Sequence, residues 1–162
     1  RIYGHAAHPD IANLYEDMAS MFDAQEDYSK ALQYYENSIA TLVSIHGHTH
    51  HPDIANLYEN MAVVHYSQAD YSKALECLEK TLNILIAVHG AVPHPHIIEL
   101  HSSLADVCEL LLDFPSAVRY YQERLSLLQQ TSADADHIDI ANAHEKVITA
   151  HYWSWYHDVN DQ

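Results

Sequence analysis

The string HPDIANLY occurs twice, at His8–Tyr15 and at His51–Tyr58, 43 residues apart. After another 43 residues His94 opens HPHIIELH, and after the same interval again His137 opens HIDIANAH. Gly4, Gly47 and Gly90 keep this spacing, and so do Ala31, Ala74 and Ala117. A period held without a gap means a stack of like supersecondary units, each burying its apolar face against the next. The units fall at about 8–50, 51–93 and 94–136, followed by a half unit at 137–157, so residues 1–162 read as a single array. Arg1–Gly4 (RIYG) aligns with Ser44–Gly47 (SIHG) and Ala87–Gly90 (AVHG), the tail of a preceding unit. The chain is therefore expected to be a fragment of a longer protein.

Each unit is predicted to hold two helices. His-Pro-Asp is a start signal, with proline suited to the first turn and aspartate to the positive helix end. In the second unit helix A runs from about Pro52 to Ser67, and Ile54, Leu57/Tyr58, Met61/Ala62 and His65 share one face. A short break at Gln68–Asp70 separates it from helix B, Tyr71 to His89, whose stripe is Ala74, Leu75, Leu78, Leu82 and Leu85. Gly90 supplies the stop.

These positions resemble the tetratricopeptide repeat pattern of a bulky residue, a Leu-small pair, an aromatic, an alanine, a second aromatic or leucine, and a small residue. The second unit offers Tyr58, Met61–Ala62, His65, Ala74, Leu78 and Thr81; the first offers Tyr15, Met18–Ala19, Phe22, Ala31, Tyr35 and Ser38. The third is a poorer match, with His101, Leu104–Ala105, Cys108, Ala117, Tyr121 and Arg124. Ordinary units of that family repeat every ~34 residues. The longer unit here, with its HG…HPD link, resembles the kinesin light chain group. The resemblance implies an all-α fold, an α-α superhelix or TPR solenoid of about three and a half helix-turn-helix repeats. It also implies that the A helices line a concave groove while the B helices lie outside.

The groove positions are then Asn13, Glu16, Asp17, Ser20 and Asp23 in the first unit and Asn56, Glu59, Asn60, Val63 and Tyr66 in the second. In the third they are Glu99, Ser102, Ser103, Asp106 and Glu109, and in the half unit Asn142, Glu145, Lys146, Thr149 and Tyr152. Of the basic residues, Lys30, Lys73, Lys80, Arg119 and Arg124 fall on B helices, and only Lys146 among groove positions. The groove is expected to be acidic, and Asn13, Asn56 and Asn142 to clamp a peptide backbone through their amides. Kinesin light chains are implied to use basic grooves for acidic, tryptophan-containing motifs, and this chain departs from them there.

The formal charge of −16 excludes nucleic acid and anionic membrane surfaces as natural partners and favours a basic protein or peptide. Two cysteines without a CxxC fit a reducing, cytoplasmic setting. Fifteen histidines include the cluster His46, His48, His50 and His51. Because His46 and His51 sit at positions also held by His89 and His94, they read as helix-end residues of the repeat, and no metal or other cofactor is expected. Their titration near neutrality would make binding sensitive to pH. His144–Glu145 does not open an HExxH motif, since Ile148 stands where the second histidine belongs. Without a Gly-rich phosphate loop or GxSxG, the sequence supports no enzyme. Cys77 and Cys108 are expected to be buried, inert thiols.

The resulting expectation is a scaffold or adaptor module that binds a partner peptide. One alternative is a self-assembling array using the aromatic end of the last helix, Tyr152, Trp153, Trp155 and Tyr156, which otherwise packs on neighbouring helices. A third reading is the targeting arm of a larger enzyme or signalling protein.

Overall fold

The computed structural model describes residues 8–90, 92–131 and 137–160, and all regular structure among them is helical. The expectation for Arg1–Gly4 lies outside the described residues. Helices α1 (Pro9–Ala24), α3 (Pro52–Ser67) and α5 (Pro95–Leu110) each begin on the proline of a His-Pro pair. The missing proline N–H is harmless there, because the first helical N–H groups have no partner within the helix. Before α1 and α3 the preceding histidine adds a cap, which His94 before α5 does not. Nδ1 of His8 accepts the N–H of Asp10, and Nδ1 of His51 that of Asp53, both at 3.2 Å. Helix α7 (His137–Asn160) starts in the same register with Ile138 in place of proline. It continues three residues past the expected end near 157.

The B helices are α2 (Tyr28–His46), α4 (Tyr71–His89) and α6 (Phe114–Gln130). Asp27, Asp70 and Asp113 cap them through the N–H groups of Lys30, Lys73 and Ser116. Gly47 and Gly90 end α2 and α4 in the left-handed region, at φ 73° and 78°.

The A-to-B turns hold a feature that composition did not announce. Glu26, Ala69 and Leu112, spaced by the sequence period, adopt φ of 59°, 57° and 59°. A side chain there crowds its own backbone at a cost of about 1 kcal/mol. The turn is closed by Asp70 N–H donating to His65 O at 2.9 Å, which holds the strained residue in place. Ala69→Gly is expected to stabilise the protein by about 1 kcal/mol. A urea midpoint that does not rise would contradict the strain.

The chain divides into two compact units, Arg1–Val88 and His89–Gln162. In each, alanines let the paired helices approach closely. Ala19 and Ala31, Ala62 and Ala74, and Ala105 and Ala117 are all buried. Large side chains fill the remaining space, with Ile54, Leu57, Val64 and Leu85 in the first unit and Leu100, Leu104 and Tyr121 in the second. A hydroxyl on the B helix also bonds a carbonyl of its A helix. Ser38 donates to Ala12 O at 2.9 Å, and Thr81 to Ala55 O at 3.3 Å. Arg124 takes that position in α6, and its Nε is buried without a hydrogen-bond partner.

Candidate peptide-binding site

In the first unit the predicted A-helix positions lie on α1 and α3. Asn60 Nδ2 donates to Glu16 Oε1 at 3.4 Å, which sets the two helices side by side. Both residues are half-buried, as are Asp23 and Glu59, whereas Asn13, Asp17, Ser20, Asn56, Val63 and Tyr66 are exposed. Ser20 lies 3.4 Å from the hydroxyl of buried Tyr35, and Tyr66 meets Tyr71 edge-on. Partial burial pushes the Glu16 carboxyl above its ordinary range, and Asp17 and Asp53 add to the effect. These acids therefore repel one another with no cation between them among the described contacts.

The second unit repeats this plan with stronger chemistry. Tyr121, buried on α6, donates to Asp106 Oδ1 on α5 at 2.6 Å. Lys146 on α7 donates to the same oxygen at 3.2 Å and to the tyrosine oxygen at 3.3 Å. Burial, Asp106 and then Glu109 push the Tyr121 hydroxyl above its ordinary range, so it stays a donor. One network thus joins three helices. It also absorbs the charge of Lys146, the one cation among the predicted groove positions.

Beside the network lies a cleft of about 760 Å³. Glu109, Asn142, Glu145, Lys146 and Thr149 line it, together with Leu112, Phe114, Trp153 and His157. The structure therefore gathers Glu109, Asn142, Glu145 and Thr149 from the predicted set. Glu99 and Ser103 are exposed elsewhere on α5, Ser102 is half-buried, and Tyr152 belongs to the aromatic cluster at the end of α7. Sequence reasoning missed Leu112, Phe114 and His157 as lining residues, and it assigned Trp153 to the aromatic end alone. Trp153 was legible, being one turn beyond Thr149 on the same stripe. Leu112 was not, because its placement follows from the left-handed turn.

The lysines on the B helices are paired locally. Lys73 reaches Asp70 at 2.7 Å and Lys80 reaches Glu76 at 2.6 Å, while Lys30 pairs with Asp27. Arg119 lies over the Tyr120 ring at 4.9 Å. The acids on the A helices are not compensated by these contacts.

Of the clustered histidines, His46 and His51 stack at 3.8 Å with Asp53 beside them. His89 and His94 stack likewise at 4.1 Å. The possible ligand atoms of His46, His51 and Asp53 lie within 4.8 Å of one another, and His51 Nδ1 also accepts a hydrogen bond in the helix cap. His48 stands 6.2 Å from His46, and His50 is exposed. Cys77 and Cys108 are buried, and burial pushes the Cys77 thiol up, against nucleophilic use. Among the described residues no helix is long and apolar enough to cross a membrane.

Paired helices with an alanine-lined contact, repeated in register, define a helix-turn-helix repeat scaffold. The tetratricopeptide repeat family model matches residues 10–87 and 53–130, and the chain belongs to that family, whose members serve protein interaction. No curated protein matches the chain. Among solved structures, the chain is similar to BtubC (BKLC) of P. vanneervenii at 15% identity and a TM-score of 0.73, covering 91% of this chain and 58% of that one. A Podosopora anserina kinesin light chain candidate with nearly identical TPR-like repeats also gives 15% and 0.73, covering 96% and 72%. The N-terminal domain of stress-induced protein 1 of C. elegans gives 18% and 0.64, covering 85% and 95%. The all-α, kinesin light chain-like tetratricopeptide fold expected from the sequence is the fold found.

Proposed function

We propose that the chain binds an extended peptide of a partner protein on the A-helix faces of its units, with a preference for segments carrying Lys or Arg. The observation that supports this most is the fate of Lys146. It is bound to Asp106 and Tyr121, which leaves Glu109 and Glu145 to set the charge of the cleft. Carboxylates, exposed amides and apolar patches such as Val63 and Tyr66 suit an extended chain, with amides for its backbone and acids for its cations. The same reading takes residues 1–162 as one array in a reducing, cytoplasmic setting, which the buried cysteine thiols fit. It assigns the chain no reaction and no cofactor.

Basic and acidic peptide sets, screened at low and high salt, test this. Capture of Lys/Arg peptides that weakens with salt is expected. Reversing Asp17 and Glu145 to lysine should then weaken binding about tenfold or more. Asp106 is unsuitable for reversal because it holds Tyr121 and Lys146. Capture of acidic peptides instead would reject the charge preference.

A second reading rests on the end of α7, where Ile148, Trp155 and Val159 are 68%, 59% and 54% exposed. Such a face suits self-association. Sedimentation that depends on concentration and is abolished by Trp155→Ser would favour it.

A further inference from the structure

Resting on the peptide reading, we infer that the cleft between α5 and α7 is a pocket for a single arginine side chain of the partner. Its volume of about 760 Å³ falls in the range of small-ligand pockets. Its lining suits a guanidinium on a three-carbon stem better than a compact ammonium. Glu109 and Glu145 offer carboxylates from opposite helices, and a planar donor fork can engage such oxygens two at a time. Trp153 also lines the cleft, and an indole attracts a guanidinium; Phe114, buried and stacked with His157 at 4.9 Å, forms part of its apolar wall.

Two features favour a cation over an anion. The Asp106–Lys146 contact removes the only lysine of the lining from play. That contact also fixes the helix register. Glu109 lies about one turn further along α5, and Thr149 and Trp153 about one and two turns further along α7. Finally, α5 ends beside Glu109, and the carbonyl end of a helix attracts positive charge. Leu112, held outward by its left-handed backbone and 65% exposed, makes an apolar rim. In the first unit Asp23, Asn56 and Glu59 hold the positions of Glu109, Asn142 and Glu145, but Val63 and Ser67 stand in place of Thr149 and Trp153, so the indole is lacking there.

The probe is Nα-acetyl-arginine amide, followed on the two indole N–H signals of the full chain by NMR, with Trp155→Phe used to assign them. Titration is expected to shift the Trp153 signal and leave Trp155 in place. The citrulline analogue, equal in shape and uncharged, should shift neither. Glu145→Gln, at an exposed position, should weaken the arginine response about tenfold while Glu36→Gln, exposed on α2, leaves it unchanged. No shift at Trp153, or equal shifts with citrulline, overturns the pocket. If Trp153 responds but no basic peptide is captured, the pocket stands and the extended-peptide reading falls. If basic peptides bind while Trp153 and Glu145 are indifferent, the peptide reading stands and the pocket falls.

Discussion

Tyr121→Ala is expected to cost the second unit about 3–5 kcal/mol, the range for deleting a fully buried aromatic. The ring is 1% exposed and fills the space between α5 and α6. Truncation would leave a cavity and also strand Asp106 and Lys146, which meet at the tyrosine oxygen. Tyr121→Phe separates the two effects. It keeps the packing and removes the hydroxyl, so a loss of about 1–2 kcal/mol is expected, as for a hydrogen bond to a charged group. Urea denaturation of both variants measures this. Equal losses would mean that the network, not the packing, dominates. No loss in Tyr121→Phe would mean that Asp106 and Lys146 hold each other without the hydroxyl.

His65→Phe is expected to stabilise the first unit by about 1–3 kcal/mol, the cost of leaving a buried polar group without a partner. His65 is 7% exposed and its Nδ1 has no hydrogen-bond partner. Burial holds the imidazole below its ordinary pKa of 6.5, with Asp70 acting in the opposite direction. The folded chain therefore binds the proton less readily than the unfolded one. Stability tied to this group is complete above pH 6.5 and is lost as the pH falls through that value towards the folded pKa. The gain from phenylalanine should accordingly grow on acidification. Thermal melts of wild type and variant at neutral and mildly acidic pH give the comparison. A gain that shrinks in acid would show that His65 is protonated in the fold. Phe22 occupies the corresponding position of the first repeat, stacked on Tyr34 at 5.3 Å, so the substitution restores a residue the scaffold already accepts.

Much of the architecture was legible because period, proline and alanine point to the same helices. His51-Pro52-Asp53 marks a start, Gly90 a stop, and Ala62 and Ala74 the close contact between α3 and α4. The helix bounds Pro52–Ser67 and Tyr71–His89 follow from those signals. The site was legible only in part. Helical spacing names the residues on a face, and so Glu109, Asn142, Glu145 and Thr149 could be grouped. It does not say which residues on that face bond one another. The pairing of Lys146 with Asp106, 40 residues away, depends on how far α7 slides along α5. Leu112 and Phe114 reach the cleft through a backbone conformation that leucine rarely adopts. The histidines were read as helix-end residues, but their role as hydrogen-bonding caps needed coordinates.

The hydroxyls of Ser38 and Thr81 work as rivets, each fastening a B helix to the backbone of its own A helix. A riveted pair must let go of that bond to separate, so its two helices tend to open as one cooperative body. In the third repeat the rivet is missing, and Arg124 crowds its place with a nitrogen that finds nothing to bond. The seam between α5 and α6 then relies on packing and on the hydroxyl of Tyr121, about one turn away. Breathing of the molecule should concentrate along that seam, next to the cleft, where slight widening admits a long side chain at the least cost to the remaining structure.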